Sequence, residues 1–312
     1  MADGEQEQAT PQVSVLIVSE DNAPALRRCL KALGASRQRE SFEILVVDNG
    51  SQDESPHLEA EFPDSVFLRL PRRFGLIKAL NIGMRTAKGE FFFFLAPEVE
   101  VREDTVAGLA ERLASEGAAV AVCPLLVDAE GRPQPQFYRL PGPGDLLRLA
   151  RKEGWDPIEP GDLSAESLPV AFPSLAALMI RSYFLKGLRY IDERYGQSWA
   201  EAEIAAQVRR ASRKILLAPG LRAVLHPREL PALRRAARVR ALYSADWVLG
   251  AATFAGKHYG FASGLKVRLG AAAEGVLGAL GSLVTLRDVG YRFARAGFLL
   301  SGQKLNGTQR FL

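Results

Sequence analysis

The chain has 312 residues, 47% of them hydrophobic, which is enough for one large domain with a full apolar core, with or without an appendage. Its two cysteines and three histidines exclude a disulfide framework and argue against a structural zinc site. The net charge of +4 divides into −10 over residues 1–208 and +14 over residues 209–312, so the basic end predicts an anionic partner: a phosphate, a membrane surface or a nucleic acid.

The first twelve residues are acidic and polar, without the basic and apolar regions of a signal peptide. They predict a disordered leader over residues 1–12 and a cytoplasmic protein.

Five short apolar runs in the first 123 residues predict strands, and the segments between them show helical periodicity. The strands are expected at 13–18, 42–47, 66–70, 91–95 and 118–123, and the helices at 23–33, 75–87 and 105–115. Asp21 or Asn22 can cap the first helix. Strands that alternate with helices indicate a doubly wound, mostly parallel sheet.

The run at 91–95, FFFFL, is apolar at every position and predicts a strand buried on both faces. Pro97 ends it, because proline cannot donate to a β-ladder. Glu98 then follows at the carboxyl edge of the sheet, where open α/β folds bind their ligands. A carboxylate there can hold a divalent metal against a diphosphate; the alternative is a solvated loop acid.

The pattern becomes less regular after residue 123. The expected elements are a hairpin (125–128 with 136–140), a Pro- and Gly-rich loop (141–169), a strand (174–180), a helix (199–211) and two short strands (214–217 and 222–225). Glu201 and Glu203 fall in the first turn of that helix, where the helix dipole favours an ionised, weakly basic carboxylate.

Only helical signals follow residue 229, beginning with an arginine-rich stretch at 232–241. Residues 269–286 approach the roughly 20 apolar residues of a membrane span. Their small residues and Glu274 instead favour an interfacial or packed amphipathic helix. Segment 287–300 has arginines next to aromatic residues. This pattern fits either a helix that lies on an anionic surface or a helix that packs against the domain with its basic face in solvent.

Several segments, in order, resemble the family 2 glycosyltransferases, most nearly the rhamnosyltransferase-like members. They are VSVLIVS, EILVVDNGSQDES, FGLIKALNIGMRTAKGE, FFFFLAPEVEV and YIDERYGQSWAEAEIAAQVRRASRKILLAP…VLH. The resemblance implies the GT-A fold, an α/β fold with a nucleotide-binding, mostly parallel sheet flanked by helices, over residues 13–228. A basic C-terminal helical region would occupy 229–312.

This resemblance also implies an activity. A sugar would pass, with inversion, from a nucleotide-diphospho-sugar to a hydroxyl of a glycan or lipid-linked acceptor. Mg²⁺ or Mn²⁺ would be the cofactor. The protein would serve cell-envelope polysaccharide synthesis, in the cytoplasm or peripherally at the inner face of the membrane, with its basic helices on the anionic surface.

Five residues match positions that bind the donor in the family. Asp48 corresponds to the carboxylate that reads the nucleotide base, and Ser19 and Asp21 to the loop that touches the nucleotide. Glu98 corresponds to the last acid of the metal-binding DXD motif, and His226 to a histidine near the diphosphate or metal.

Two more residues match the family's EDxD motif. Glu201 corresponds to the catalytic base and Glu203 to the second acid, expected to contact the bound donor.

The acidic motifs depart from the family pattern. Ala96 stands at the first metal-motif position, and Glu replaces Asp at 98, 201 and 203, one methylene longer. A misplacement near 1 Å can cost about 100-fold in rate, so the alternative is an inactive pseudo-glycosyltransferase that serves as a scaffold or partner subunit in glycan assembly. A third possibility, nucleic-acid binding by the arginine-rich tail, has no recognised motif behind it, and no nucleic-acid partner is expected.

Overall fold

The computed structural model describes residues 10–227 and 236–305. The strands are β1 (Val13–Ser19), β2 (Phe42–Asp48), β3 (Ser65–Arg69), β4 (Phe91–Leu95), β5 (Val99–Val101), β6 (Ala119–Val127), β7 (Leu168–Val170), β8 (Ala177–Arg181) and β9 (Lys214–Leu225). The α-helices are α1 (Ala23–Gly34), α2 (Leu76–Thr86), α3 (Thr105–Ser115), α4 (Leu146–Lys152), α5 (Ser182–Gly187), α6 (Ala200–Arg210), α7 (Ala237–Tyr259), α8 (Phe261–Thr285) and α9 (Val289–Ser301). Most of the predicted leader, and part of the arginine-rich stretch, lie outside the described residues.

These strands form one mixed sheet in the order β3-β2-β1-β4-β8-β6-β9-β5, with β7 also paired to β9. The first four strands are parallel, as the alternation of strands and helices predicts. Their register sets Ser19 beside Asp48, and Val13 beside Phe91. The carboxyl ends of β1, β2 and β4 therefore meet along one edge, where Glu98 follows β4.

Beyond β4 the sheet departs from a doubly wound parallel arrangement. Strand β8 lies between β4 and β6 and runs antiparallel to both, and β5 and β7 run antiparallel to β9. The two short strands expected at 214–217 and 222–225 are one strand, β9, with an irregularity where the register shifts after Pro124.

The hairpin predicted at 125–128 and 136–140 is confirmed only at its turn. Residues 125–127 continue β6 and pair in parallel with β9, while Val127 also forms an antiparallel bridge to Pro133 and the Leu126 oxygen accepts the N–H of Gln134. Phe137 and Tyr138 instead form isolated bridges to Pro173 and Pro157. The predicted irregular loop at 141–169 contains the short helix α4 and the beginning of β7.

Two apolar layers cover the sheet, and β4 contributes to both. Phe92 and Phe94 belong to one core with Leu16, whereas Phe91 and Phe93 belong to the other. All four phenylalanines are at most 1% exposed, which confirms a strand buried on both faces. The free cysteines Cys29 and Cys123 are buried within these layers, also as predicted.

The C-terminal helices share the core of the first layer. Ala245, Val248 and Leu249 of α7 pack in the same cluster as Phe94 and Trp199. Gly250 of α7 faces the Trp199 ring so closely that an added Cβ would lie 2.7 Å from its Cδ1 atom. Helix α7 therefore packs directly against the segment that carries Glu201.

Candidate functional site

A cavity of about 230 Å³ opens at the carboxyl edge of the parallel strands. Its walls come from the ends of β1 and β4, the start of α2, the segment before β8 and the start of α6. Three carboxylates line it, those of Glu20, Glu98 and Glu201, together with Asn49 and Gln197. The sequence places these five residues up to 181 positions apart, so only the fold creates the cavity.

The loop after β1 is held by an arginine. Arg73 forms ion pairs with Glu20 and Asp21, and its side chain is only 8% exposed. Asp21, at a φ of +47°, also accepts the backbone N–H of Gln52 at 2.7 Å, while Ser51 Oγ accepts the N–H of Asp21 at 3.1 Å. Asp21 thus links the loops after β1 and β2, and its carboxylate is engaged by these partners.

Ser19 and Asp48 end adjacent strands and are almost fully buried. Ser19 accepts the N–H of Asn49 at its backbone oxygen, and its Oγ atom has no hydrogen-bond partner among the residues described. Asp48 Oδ1 accepts the N–H of Ser51 at 3.2 Å, which shapes the turn after β2. Asn49, for which the sequence predicted no role, donates from Nδ2 to the Phe74 backbone oxygen and accepts the Phe74 N–H at Oδ1.

The two residues expected to bind metal are neighbours in the backbone but not in their side chains. Glu98 is 5% exposed and accepts a hydrogen bond from Asn22 Nδ2 at 3.1 Å. The N–H of His226 donates to the Glu98 backbone oxygen, but the His226 ring lies 2.7 Å from Glu100 instead. That Glu98 and His226 together bind a metal therefore remains a prediction, and the positions of their side chains do not support it.

The donor set does not fit a metal held by the protein. Residues 10–227 and 236–305 contain no group of three acids, histidines or cysteines placed to bind one ion. Ala96 supplies no ligand at the cavity wall, and Arg73 already neutralises part of the charge of Glu20.

Glu201 is the carboxylate best placed for proton transfer. It stands in the first turn of α6, lines the cavity, and accepts the indole N–H of Trp155 at 3.2 Å. Burial raises the pKa of Glu201, while hydrogen bonds from its own backbone and from Trp155 oppose the rise. The prediction that the helix dipole makes Glu201 a weak base is therefore wrong, because the cost of burying the charge exceeds the stabilisation by the dipole.

Glu203 does not join this cavity. It is 4% exposed and meets four partners: Tyr195 at 2.8 Å, Gln207 at 2.6 Å, Lys257 at 2.8 Å and His258 at 2.7 Å. Burial would raise the pKa of Glu203, but these hydrogen bonds prevail and lower it to about 2. The structure thus separates the two acids of one sequence motif, and Glu203 serves to tie α6 to α7.

Besides Asn49, three more residues of the site had no role predicted from the sequence: Arg73, Gln197 and Trp155. Arg73 stands in a basic pair just before α2, which is a signal that could have been noticed. Gln197 lines the cavity, accepts the N–H of Leu76, and has its own N–H held by Asp246 of α7. Trp155 lies in the segment expected to be an irregular loop, and nothing in the sequence links it to Glu201.

Known families and proteins resemble this chain over part of its length. Residues 14–166 match the family model "Glycosyl transferase family 2". The succinoglycan biosynthesis protein ExoO of Rhizobium meliloti is 29% identical over 142 residues, 45% of this chain and 39% of that protein. An uncharacterized glycosyltransferase of Mycobacterium tuberculosis is 30% identical over 111 residues, 35% of this chain and 42% of that protein. The chain thus spans about two fifths of the length of these two relatives.

Solved structures share the fold at low sequence identity. The GalNAc-T7 complex with UDP, GalNAc and Mn²⁺ has a TM-score of 0.58 at 19% identity, over 80% of this chain and 52% of that one. The mannosyltransferase PcManGT of Pyrobaculum calidifontis, with GDP-Man and Mn²⁺, has a TM-score of 0.54 at 17% identity, over 94% of this chain and 88% of that one. Together with the family match, these likenesses identify the chain as a GT-A-fold protein whose residues 14–166 belong to glycosyl transferase family 2.

Proposed function

We propose that the protein transfers a sugar, with inversion, from a nucleotide-diphospho-sugar to a hydroxyl of a glycan or lipid-linked acceptor. The observation that carries this proposal is the position of Glu201. A carboxylate of raised pKa lines a cavity at the carboxyl edge of the parallel strands, opposite the loops that end β1 and β2. The name of ExoO, a succinoglycan biosynthesis protein, supports a role in polysaccharide synthesis.

In the proposed reaction Glu201 acts as the general base. Its carboxylate takes the proton of the acceptor hydroxyl while that oxygen attacks the anomeric carbon of the donor. The bond from this carbon to the diphosphate oxygen breaks, and the nucleoside diphosphate leaves with the electron pair. Attack opposite to the leaving group inverts the configuration at the anomeric carbon.

The cavity accommodates part of such a donor. Its volume of about 230 Å³ is below the roughly 300–1,000 Å³ of pockets that enclose a drug-sized ligand. We place the sugar and diphosphate in the cavity, and the nucleoside over the loops that carry Asp21 and Asp48. Asp48 remains the proposed reader of the base.

Nucleotide binding tests this placement directly. We expect UDP, dTDP or GDP to bind to the purified protein, and chelation of divalent ions to weaken that binding by less than about tenfold, because the described residues do not form a three-ligand metal site. Isothermal titration calorimetry with EDTA, Mg²⁺ and Mn²⁺ gives the comparison. Binding that occurs only with Mn²⁺ would contradict the expectation and restore Glu98 as a metal ligand.

A pseudo-glycosyltransferase is the second candidate. Ala96 at the metal-motif position and the separation of Glu203 from the cavity favour it, because both remove acidic groups from the site. It predicts weak binding or none for each of the three nucleotides, and a role as a scaffold or partner subunit in glycan assembly. The same calorimetry distinguishes the two candidates.

We also propose that the protein is peripheral at an anionic membrane, through one face of α8. Within the described residues, α8 is the one helix long and apolar enough to cross a bilayer, at about 37 Å. One face of α8, with Val267, Ala271 and Ala279, packs inside the protein. The other face is apolar and exposed, with Leu277 68% and Val284 87% exposed.

The charges of the helical region favour a membrane over a second copy of the chain. Residues 237–305 carry nine lysines or arginines and three acids, and of these acids Asp246 is buried and Glu274 is paired with Arg151. Two copies of so basic a surface would repel each other, whereas an anionic bilayer would attract it. Because one face of α8 is already packed against the protein, the helix would lie in the membrane interface and would not span the bilayer.

Vesicle flotation tests the membrane proposal. Replacing Leu277 and Leu280 together by glutamate should reduce binding to phosphatidylglycerol vesicles by at least about tenfold, because two apolar side chains that the membrane would bury are lost and the new carboxylates are repelled by the anionic lipid. The matched control replaces the exposed Val66 of β3 and Tyr183 of α5 by glutamate, and it should bind the vesicles as the parent does. Equal loss of vesicle binding in both variants would contradict the proposal. So would a parent protein that does not bind vesicles and that light scattering shows to be a dimer.

A further inference from the structure

All three tryptophans of the chain lie in one cluster. Their ring centroids are 4.5 Å apart for Trp155 and Trp199, 4.9 Å for Trp155 and Trp247, and 5.6 Å for Trp199 and Trp247. They come from the loop after α4, the residue before α6, and α7. The cluster therefore fixes the beginning of α6, which carries Glu201, between two distant parts of the chain.

The three indole N–H groups have different partners. Trp155 Nε1 donates to Glu201 Oε1 at 3.2 Å, and Trp247 Nε1 donates to the backbone oxygen of Leu149 at 2.9 Å. Trp199 Nε1 is buried and, among the residues that the structure describes, has no hydrogen-bond partner. Trp155 is thus the indole of this cluster that reaches the cavity carboxylate.

We propose that Trp155 is a positioning residue for the transfer reaction: it holds one oxygen of Glu201 by a hydrogen bond, so that the other oxygen is presented to the acceptor hydroxyl. This inference depends on the proposed role of Glu201 as the base. An indole N–H suits the task because it can only donate and cannot take the proton itself. Its edge-on contacts with Phe172, Trp199 and Trp247 fix the direction of that donor.

Other ionisable groups near Glu201 also bear on its proton. Glu20 and Glu98 line the same cavity, from the loops after β1 and β4. Tyr138 lies across the aromatic cluster; burial, and secondarily the charge of Glu201, raise its pKa. The Trp155 hydrogen bond lowers the pKa of Glu201 and so opposes the effect of burial.

A pair of phenylalanine variants tests the inference. Trp155→Phe keeps an aromatic ring in the cluster but removes the donor. The acidic limb of its pH–kcat profile should move up by about 0.5–1 pH unit, kcat should fall by about tenfold or more, and the donor KM should stay unchanged. Trp247→Phe removes the donor to Leu149 and should leave the acidic limb in place. An unshifted profile in Trp155→Phe would overturn the inference.

Tryptophan fluorescence provides a readout that does not need turnover. The emission of the parent should change as Glu201 titrates, and this change should persist in Trp247→Phe but vanish in Trp155→Phe and Glu201→Gln. Far-UV circular dichroism verifies that each variant is folded. If no donor and acceptor support transfer, the proposed function fails, but the fluorescence titration still tests whether Trp155 is hydrogen-bonded to Glu201. A pH-dependent change in emission that persists in Trp155→Phe would refute that interaction.

Discussion

Replacing Glu201 by glutamine is expected to reduce sugar transfer by about 100- to 10,000-fold, which is the usual contribution of a general base. Glutamine keeps the size of the side chain and can still accept the Trp155 N–H, but it cannot take a proton from the acceptor. Affinity for the nucleotide, measured by calorimetry, should change by less than about threefold, because the base acts on the acceptor and not on the nucleotide. The rate is measured at saturating donor.

The pH dependence of the parent provides a second check on Glu201. Because burial raises its pKa, the carboxylate should remain protonated, and inactive as a base, to a higher pH than an exposed glutamate. The rate should therefore rise with pH through a limb that lies above the ordinary glutamate pKa of 4.5. A glutamine variant that retains transfer, or a rate that is flat down to pH 4, would show that another group is the base.

Glu203→Gln is the matched control for this experiment. The same substitution, two positions along α6, changes a residue that contacts Tyr195 and His258 and does not line the cavity. It should lower the stability of the protein but retain most of the turnover per folded molecule. If both variants lose transfer equally, the distinction between the two acids is not functional.

Replacing Glu203 by alanine is expected to lower the free energy of unfolding by about 3–5 kcal/mol, the cost of breaking a buried ion pair from one side. The loss is large because it leaves His258 and the buried Tyr195 hydroxyl without this acceptor, and leaves Lys257 with Asp192 alone. Urea unfolding followed by circular dichroism at pH 7 measures it. Glu111→Ala is the control, since its ion pair with Arg37 is exposed and should contribute less than about 1 kcal/mol.

The effect of Glu203→Ala should also depend on pH. The pKa of Glu203 is lowered to about 2 in the folded protein from an ordinary value of 4.5. The ionised carboxylate therefore contributes its full stabilisation above pH 4.5, and the contribution decreases as the pH falls towards 2. The difference between parent and variant should shrink over this interval, and a constant difference would mean that the loss comes from packing alone.

The sequence predicted the first half of the fold well because its signals there are local. Each strand from β1 to β4 is an apolar run with a clear end, and α3 begins and ends where its periodicity predicts. The second half was harder because strand direction depends on partners that are distant in sequence. β8 has the apolar pattern of a parallel strand but runs antiparallel between β4 and β6.

For the site, the sequence by itself determined which acids follow which strands and helices, and it selected Glu98 and Glu201 for the cavity that the fold then formed. Only the tertiary structure decided what each acid meets. Glu201 and Glu203 are two residues apart on one helix, yet burial raises the pKa of the first, while four hydrogen-bond partners lower that of the second. The physical reason is that desolvation and hydrogen bonding depend on Trp155, Lys257 and His258, which no local pattern places beside α6.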